Sequence, residues 1–85
     1  MSTFTVLFFA SASSFTTKES DSFPAPLPLS KLFETLEARY PGISAKILDS
    51  CLVTVNLDYV DMPPTEERIL QASDEVAIIP PVSSG

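Results

Sequence analysis

The chain opens with an alternation of side chains that predicts a β-strand. Residues 3–9, TFTVLFF, are rich in β-branched and aromatic side chains. Because side chains alternate across a strand, one face carries Phe4, Val6 and Phe8, and we expect that face in the core. The opposite face begins with threonines and ends apolar, which is unusual for a face exposed to water.

The middle of the chain predicts one main helix over residues 29–40. Apolar side chains recur there at spacings of three and four, which gives a single apolar stripe. The stripe consists of Leu29, Leu32, Phe33, Leu36 and Tyr40. Ser30 is the predicted N-cap, and Pro41 with Gly42 is a helix stop.

Two further strands are predicted in the second half of the chain. Residues 51–56 form one, with Val53 and Val55 pointing inward, and residues 75–79 form the last, with Val76 and Ile78 inward. The remaining segments predict minor elements: a polar loop or weak helix at 11–17, an edge strand at 18–23, a proline-rich connector at 24–28, a connector at 43–50, a turn or short strand at 57–62, an apolar anchor at 69–70 and a turn at 71–74.

This order of elements indicates an α+β fold, in which one amphipathic helix covers one mixed sheet. The two strongest strands lie at the two ends of the chain. If they pair side by side they run parallel, and the crossover between them holds the helix. The 85 residues are enough for one domain, which we assign to residues 1–80, followed by a tail at 81–85.

Composition narrows the possible functions. The net charge of −6 argues against nucleic acid and anionic membranes as partners. No histidine is present to serve as a general base, and no metal-ligand spacing occurs. The single cysteine, Cys51, is expected to be buried and inert. The apolar run near the N-terminus is too short for a membrane span and lacks a basic flank, so we expect no signal peptide and a cytosolic location.

The end of the chain, PPVSSG, follows the last strand directly. Frayed ends are common, so a tail without function is the ordinary interpretation. Three segments favour a different one: VLFFA at 6–10, VTVNLDYV at 53–60 and SDEVAIIPPVSSG at 73–85. Together they resemble the small, sulfur-carrying subunit of molybdopterin synthase, a relative of the thiamine-pathway sulfur carrier and of ubiquitin. The resemblance implies a β-grasp, or ubiquitin-like, roll.

The resemblance also implies a mechanism. An ATP-dependent activating enzyme with a sulfurtransferase adenylates the carboxylate of Gly85, and sulfur replaces the adenylate to give a thiocarboxylate. The tail then enters the large synthase subunit and donates sulfur to a pterin precursor, in a heterotetramer with the large-subunit dimer at its centre. The chain would need no catalytic side chain, no resident cofactor and no metal of its own. ATP would be used by the activating enzyme.

The tail residues suit such an insertion. Gly85 has no Cβ, so its carbonyl is open to attack, and Ser83 and Ser84 are small. Pro80 and Pro81 hold the arm extended, and residues 81–85, which include Val82, reach about 16–18 Å. The family usually ends in two glycines, whereas Ser84 holds the penultimate place here.

Two surfaces are candidates for partner contact. The outward positions of the two terminal strands are apolar and would form one patch beside the tail: Leu7, Phe9, Ala77 and Ile79. The patch is either a partner interface or is covered by a loop. An acidic cluster, Asp58, Asp61, Glu66 and Glu67, either meets a basic partner or is a solvated face.

Three functions stay open at this point. The first is the synthase sulfur carrier, and the second keeps the chemistry with another acceptor, in thiamine synthesis or tRNA thiolation. The third is a ubiquitin-like interaction module with an inert tail.

Overall fold

The computed structural model describes residues 2–81, and they fold around one five-stranded sheet. The strands are β1 (Thr3–Phe8), β2 (Ser20–Pro24), β3 (Leu27–Pro28), β4 (Leu52–Val55), β5 (Asp58–Val60), β6 (Ile69–Leu70) and β7 (Glu75–Ile79). The α-helices are α1 (Ser11–Thr16), α2 (Leu32–Arg39) and α3 (Ile43–Lys46), with single 3-10 turns at Leu29–Lys31 and Leu48–Ser50.

The two ends of the chain meet in the middle of the main sheet, whose strand order is β2-β1-β7-β4-β5. Strands β1 and β7 run parallel, with Val6 opposite Val76, and the other neighbours are antiparallel. Strands β3 and β6 form a separate two-stranded sheet. This topology confirms the predicted parallel pairing and the α+β fold with its mixed sheet.

The core lies between the inner face of the sheet and α2. The inward residues of β1 are buried as predicted, and Phe4 stacks on Phe23 of β2 with ring centroids 5.8 Å apart. From the helix, Leu32 and Leu36 are fully buried, as is Leu29 just before it. Burial of side chains of this size stabilises a fold by roughly 1.5–3 kcal/mol each.

The start of the helix differs from the prediction. Residues 29–31 form a 3-10 turn, and α2 begins only at Leu32. Ser30 is not the N-cap: its N–H and hydroxyl donate to the carboxylate of Glu67, at 3.2 and 2.7 Å. The N–H of Leu29 is likewise bonded to the carbonyl of Arg68, at 2.7 Å. Contacts with a segment distant in the sequence thus hold the start of the helical region, where a local N-cap was predicted.

The segment predicted as a connector at 43–50 is more ordered than expected. It contains α3 and the second 3-10 turn, with Ile47 and Leu48 buried as the predicted anchors. Glu37 accepts hydrogen bonds from the N–H groups of Gly42 and Ser44, at 2.7 and 3.0 Å. These bonds, led by the one from Gly42, lower the pKa of Glu37 and join the end of α2 to the start of α3.

A polar cluster joins the edge strand β2 to the end of α2. Asp21 accepts hydrogen bonds from the Tyr40 hydroxyl and, at 2.9 Å, from the Arg39 guanidinium, with the Lys18 ammonium 3.8 Å away. Burial works to raise the pKa of Asp21, but the bonds from Tyr40 and Ser22 and the two cations outweigh it and lower the pKa. Burial, and then the contact with Asp21, raises the pKa of Tyr40 to about 12.

Candidate functional site

The four predicted interface residues lie together on the outer face of the sheet. Leu7 of β1 pairs in register with Ala77 of β7, and Phe9 and Ile79 continue the same face beyond them. They line a shallow pocket of about 210 Å³ together with Thr54, Leu57, Tyr59 and Glu75. We call this surface the outer-face patch.

The outer-face patch has a buried centre and large, exposed side chains at its margins. Ala77 at the centre is only 8% exposed, whereas Phe9 is 46% and Tyr59 is 71% exposed. Exposed rings around a shallow apolar floor are typical of protein contact surfaces, because aromatic side chains supply much buried area at low conformational cost.

Four lining residues of the patch were missed from the sequence, and the two largest exposed ones are Leu57 and Tyr59. They belong to the β4–β5 hairpin, whose two-residue turn places Asn56 and Leu57 at φ of 50° and 74°. Positive φ at both central positions matches the type I′ turn of tight hairpins. The asparagine after a strand was the available signal, but a leucine at positive φ has no local sequence signature.

Hydrogen bonds to the neighbouring turn hold this hairpin in place. The Asn56 N–H donates to the carbonyl of Glu75 at 2.7 Å, and the Asn56 side-chain oxygen accepts the Glu75 N–H at 3.0 Å. Its amide nitrogen donates to Asp74 at 3.1 Å. The bonds from Gln71 and Asn56 lower the pKa of Asp74. Leu57, 86% exposed, is therefore presented on a fixed turn.

The C-terminal tail leaves the sheet beside this patch. Ile79, the last residue of β7, pairs with Leu52 at the start of β4. Pro80 is buried and Pro81 is exposed, so the chain turns from the domain to solvent between them. The remaining predicted tail residues, Val82, Ser83, Ser84 and Gly85, lie outside the described residues.

Side-chain chemistry for catalysis is sparse in the described part of the chain. No group of three potential metal ligands occurs within residues 2–81. Burial raises the pKa of the Cys51 thiol, which disfavours the nucleophilic thiolate. In the same residues, no helix has the length and apolarity needed to cross a membrane.

Comparison with known proteins decides the family. The sequence model of the ThiS family matches residues 6–85. The chain belongs to the ThiS family. A curated relative from Emericella nidulans, named molybdopterin synthase sulfur carrier subunit, is 54% identical, and the alignment covers all of both chains. A protein of the same name from Phaeosphaeria nodorum is 56% identical over 96% of this chain and 90% of its own. The resemblance inferred from the three sequence segments is confirmed.

The fold is confirmed independently by a solved structure. SAMP1 from Haloferax volcanii superimposes with a TM-score of 0.79 over 98% of this chain and 99% of that chain. The two are only 17% identical, so this likeness supports the ubiquitin-like β-grasp fold and nothing further.

Proposed function

We propose that this member of the ThiS family is the sulfur carrier subunit of a molybdopterin synthase. The observation that carries the proposal is the name shared by two curated relatives, each more than half identical, that align with nearly the whole chain. The same name favours a pterin precursor as the sulfur acceptor, over thiamine synthesis or tRNA thiolation.

The reagent in this proposal is the carboxylate of Gly85. A carboxylate oxygen attacks the α-phosphorus of ATP within the activating enzyme, and pyrophosphate leaves. A sulfurtransferase then supplies sulfur at the oxidation level of hydrosulfide, which attacks the acyl carbon and displaces AMP, so that a thiocarboxylate remains and a proton is released. That sulfur is transferred to the pterin precursor in the large subunit. The chain itself contributes a carrier and no catalytic side chain.

The described residues support this role by the way they anchor the tail. Strand β7 lies between β1 and β4 in the centre of the sheet, so the base of the tail is fixed. Pro80 and Pro81 restrict the backbone beyond it. The residues that lead into the tail are therefore already fixed before a partner binds, which lowers the entropic cost of insertion.

The outer-face patch is the proposed contact for the large synthase subunit. It is apolar, lies beside the tail exit and is rimmed by exposed aromatic rings. The full assembly would be a heterotetramer in the cytosol, with one such contact on each half.

The decisive test is deletion of Gly85. The variant should keep the fold, because β7 ends before the tail, and should lose all sulfur transfer. Incubation with the activating enzyme, ATP and a sulfur donor should increase the intact mass of the unaltered chain by the difference between sulfur and oxygen. The deletion variant should stay at its original mass.

Two results would contradict the proposal. Pterin dithiolene formation supported by the deletion variant would exclude the Gly85 carboxylate as the reagent. An unchanged mass of the unaltered chain would favour the ubiquitin-like interaction module with an inert tail.

A further inference from the structure

A second surface, distinct from the outer-face patch, lies between α2, the second 3-10 turn and the segment after β5. Two adjoining cavities there, of about 470 and 210 Å³, share Phe33, Leu48, Asp49 and Met62. We call this surface the helix-side groove. None of its lining residues belongs to the outer-face patch.

The floor of the helix-side groove is apolar and its rim is acidic. Phe33 and Met62 are half-buried against the core. Exposed carboxylates stand around them, at Glu34, Asp49 and Asp61. Among residues 2–81, no lysine or arginine lines either cavity, and neither aspartate forms an ion pair. Glu34 has only the exposed Lys31, at 3.5 Å.

The acidic rim favours a basic protein segment as the binding partner of the groove. A second copy of the chain would bring its own net charge of −6 to an acidic rim, which disfavours self-association. A segment carrying lysine or arginine beside one apolar side chain would satisfy both the rim and the floor. Its long cationic side chains could also cover apolar surface with their methylene stems.

The groove lies close to the base of the tail, which indicates that the segment belongs to a protein that encloses the tail. Cys51 and Leu52 form one end of the groove, and Leu52 pairs with Ile79, the last strand residue before the tail. The chain therefore leaves the sheet next to residues of both surfaces, because Ile79 lines the outer-face patch and Leu52 lines the helix-side groove. A protein that encloses the tail comes within reach of both.

We propose that the helix-side groove docks a basic, apolar-containing segment of the large synthase subunit, the protein into which the tail is inserted in the proposed function. This inference rests on the proposed function, since it assumes that the tail is taken up. The groove would act as a second contact, which fixes the orientation of the domain while the tail is inserted.

Charge reversal tests the inference without disturbing the core. Asp49→Lys and Asp61→Lys change exposed residues, and Glu19→Lys is the matched control, because it makes the same charge change at an exposed site outside both surfaces. Affinity and association rate would be measured with the purified large synthase subunit and with the purified activating enzyme. Thermal melts of each variant would verify folding.

We expect each groove variant to bind the large synthase subunit about fivefold more weakly than the control does. The deficit should shrink at high salt, because screening weakens charge contacts. Binding of both groove variants to the large synthase subunit within about twofold of the control would overturn the inference, as would a deficit confined to the activating enzyme. Sulfur transfer would then still depend on Gly85, which separates this failure from failure of the proposed function. If the unaltered chain binds neither the large synthase subunit nor the activating enzyme, both the inference and the proposed function are overturned.

Discussion

The two faces of the central sheet carry similar apolar side chains, but one face is buried in the core and the other is partly exposed. Phe4 is fully buried on the inner face, whereas Phe9, just beyond the end of the same strand, is 46% exposed on the outer face. The helix covers only the inner face of the sheet, so the apolar residues of the inner face stabilise the fold. The apolar residues of the outer face remain available to a partner. Hydrophobicity alone does not separate the two roles, but strand parity does.

The largest expected effect comes from making the same substitution on both faces. Phe4→Ala should lower the free energy of unfolding by about 3–5 kcal/mol, because it leaves a cavity beside Phe23. Phe9→Ala should cost less than about 1 kcal/mol, since much of its ring already faces water. Chemical denaturation of the two variants measures both values. Equal losses would mean that the outer face is part of the core.

The second expected effect is on binding. Phe9→Asp and Ile79→Asp should weaken binding of the large synthase subunit by about 2 kcal/mol, or roughly thirtyfold, because each places a charge in an apolar contact surface. Titration calorimetry measures the affinity. Thermal melts supply the control: if either variant loses most of its stability, the residue is buried in the fold and the assignment of faces is reversed.

A smaller effect concerns the edge of the sheet, where Asp21 ties β2 to α2. The pKa of Asp21 is lower in the folded state, so its contribution is present above the unfolded pKa of about 3.9 and is lost as the pH falls through the folded pKa. The pKa of Tyr40 is raised to about 12, so its contribution is present below the unfolded value and is lost as the pH rises through about 12.

Asp21→Asn tests how much these contacts of Asp21 contribute to stability. We expect a loss of about 1 kcal/mol at neutral pH that disappears in acid, where the aspartate itself is protonated. Unfolding free energies of both chains across the acid range provide the measurement. A constant difference at every pH would assign the loss to altered packing and not to the charge.

The smallest expected effect lies in the tail, which belongs to neither face. Ser84→Gly should leave stability within about 0.5 kcal/mol, as for substitutions outside a core. The rate of adenylation should rise or stay the same, because glycine removes a Cβ from the segment that the proposed mechanism inserts into the activating enzyme. ATP–pyrophosphate exchange with the activating enzyme compares the two tails. A clear fall for the glycine variant would show that the serine makes a specific contact.

Much of the candidate site could be predicted because strand parity is a local property. The alternation in residues 3–9 and 75–79 was enough to place Leu7, Phe9, Ala77 and Ile79 on one face, and the register of β1 with β7 confirms that they meet. Leu57 and Tyr59 could not be assigned in this way. Their place in the patch depends on a hairpin turn that is stabilised by Asp74 and Glu75 from another part of the chain.

The sequence by itself determined the strands of the main sheet and the apolar stripe of the helix, since each depends on residue type and near-neighbour spacing. Tertiary structure alone decided where the helix begins, because Glu67 and Arg68 satisfy the donors of Ser30 and Leu29 from far along the chain. It also decided that Asp49 and Asp61 stand around one groove beside the tail exit. Contacts of this kind join segments distant in the sequence, and no local pattern encodes them.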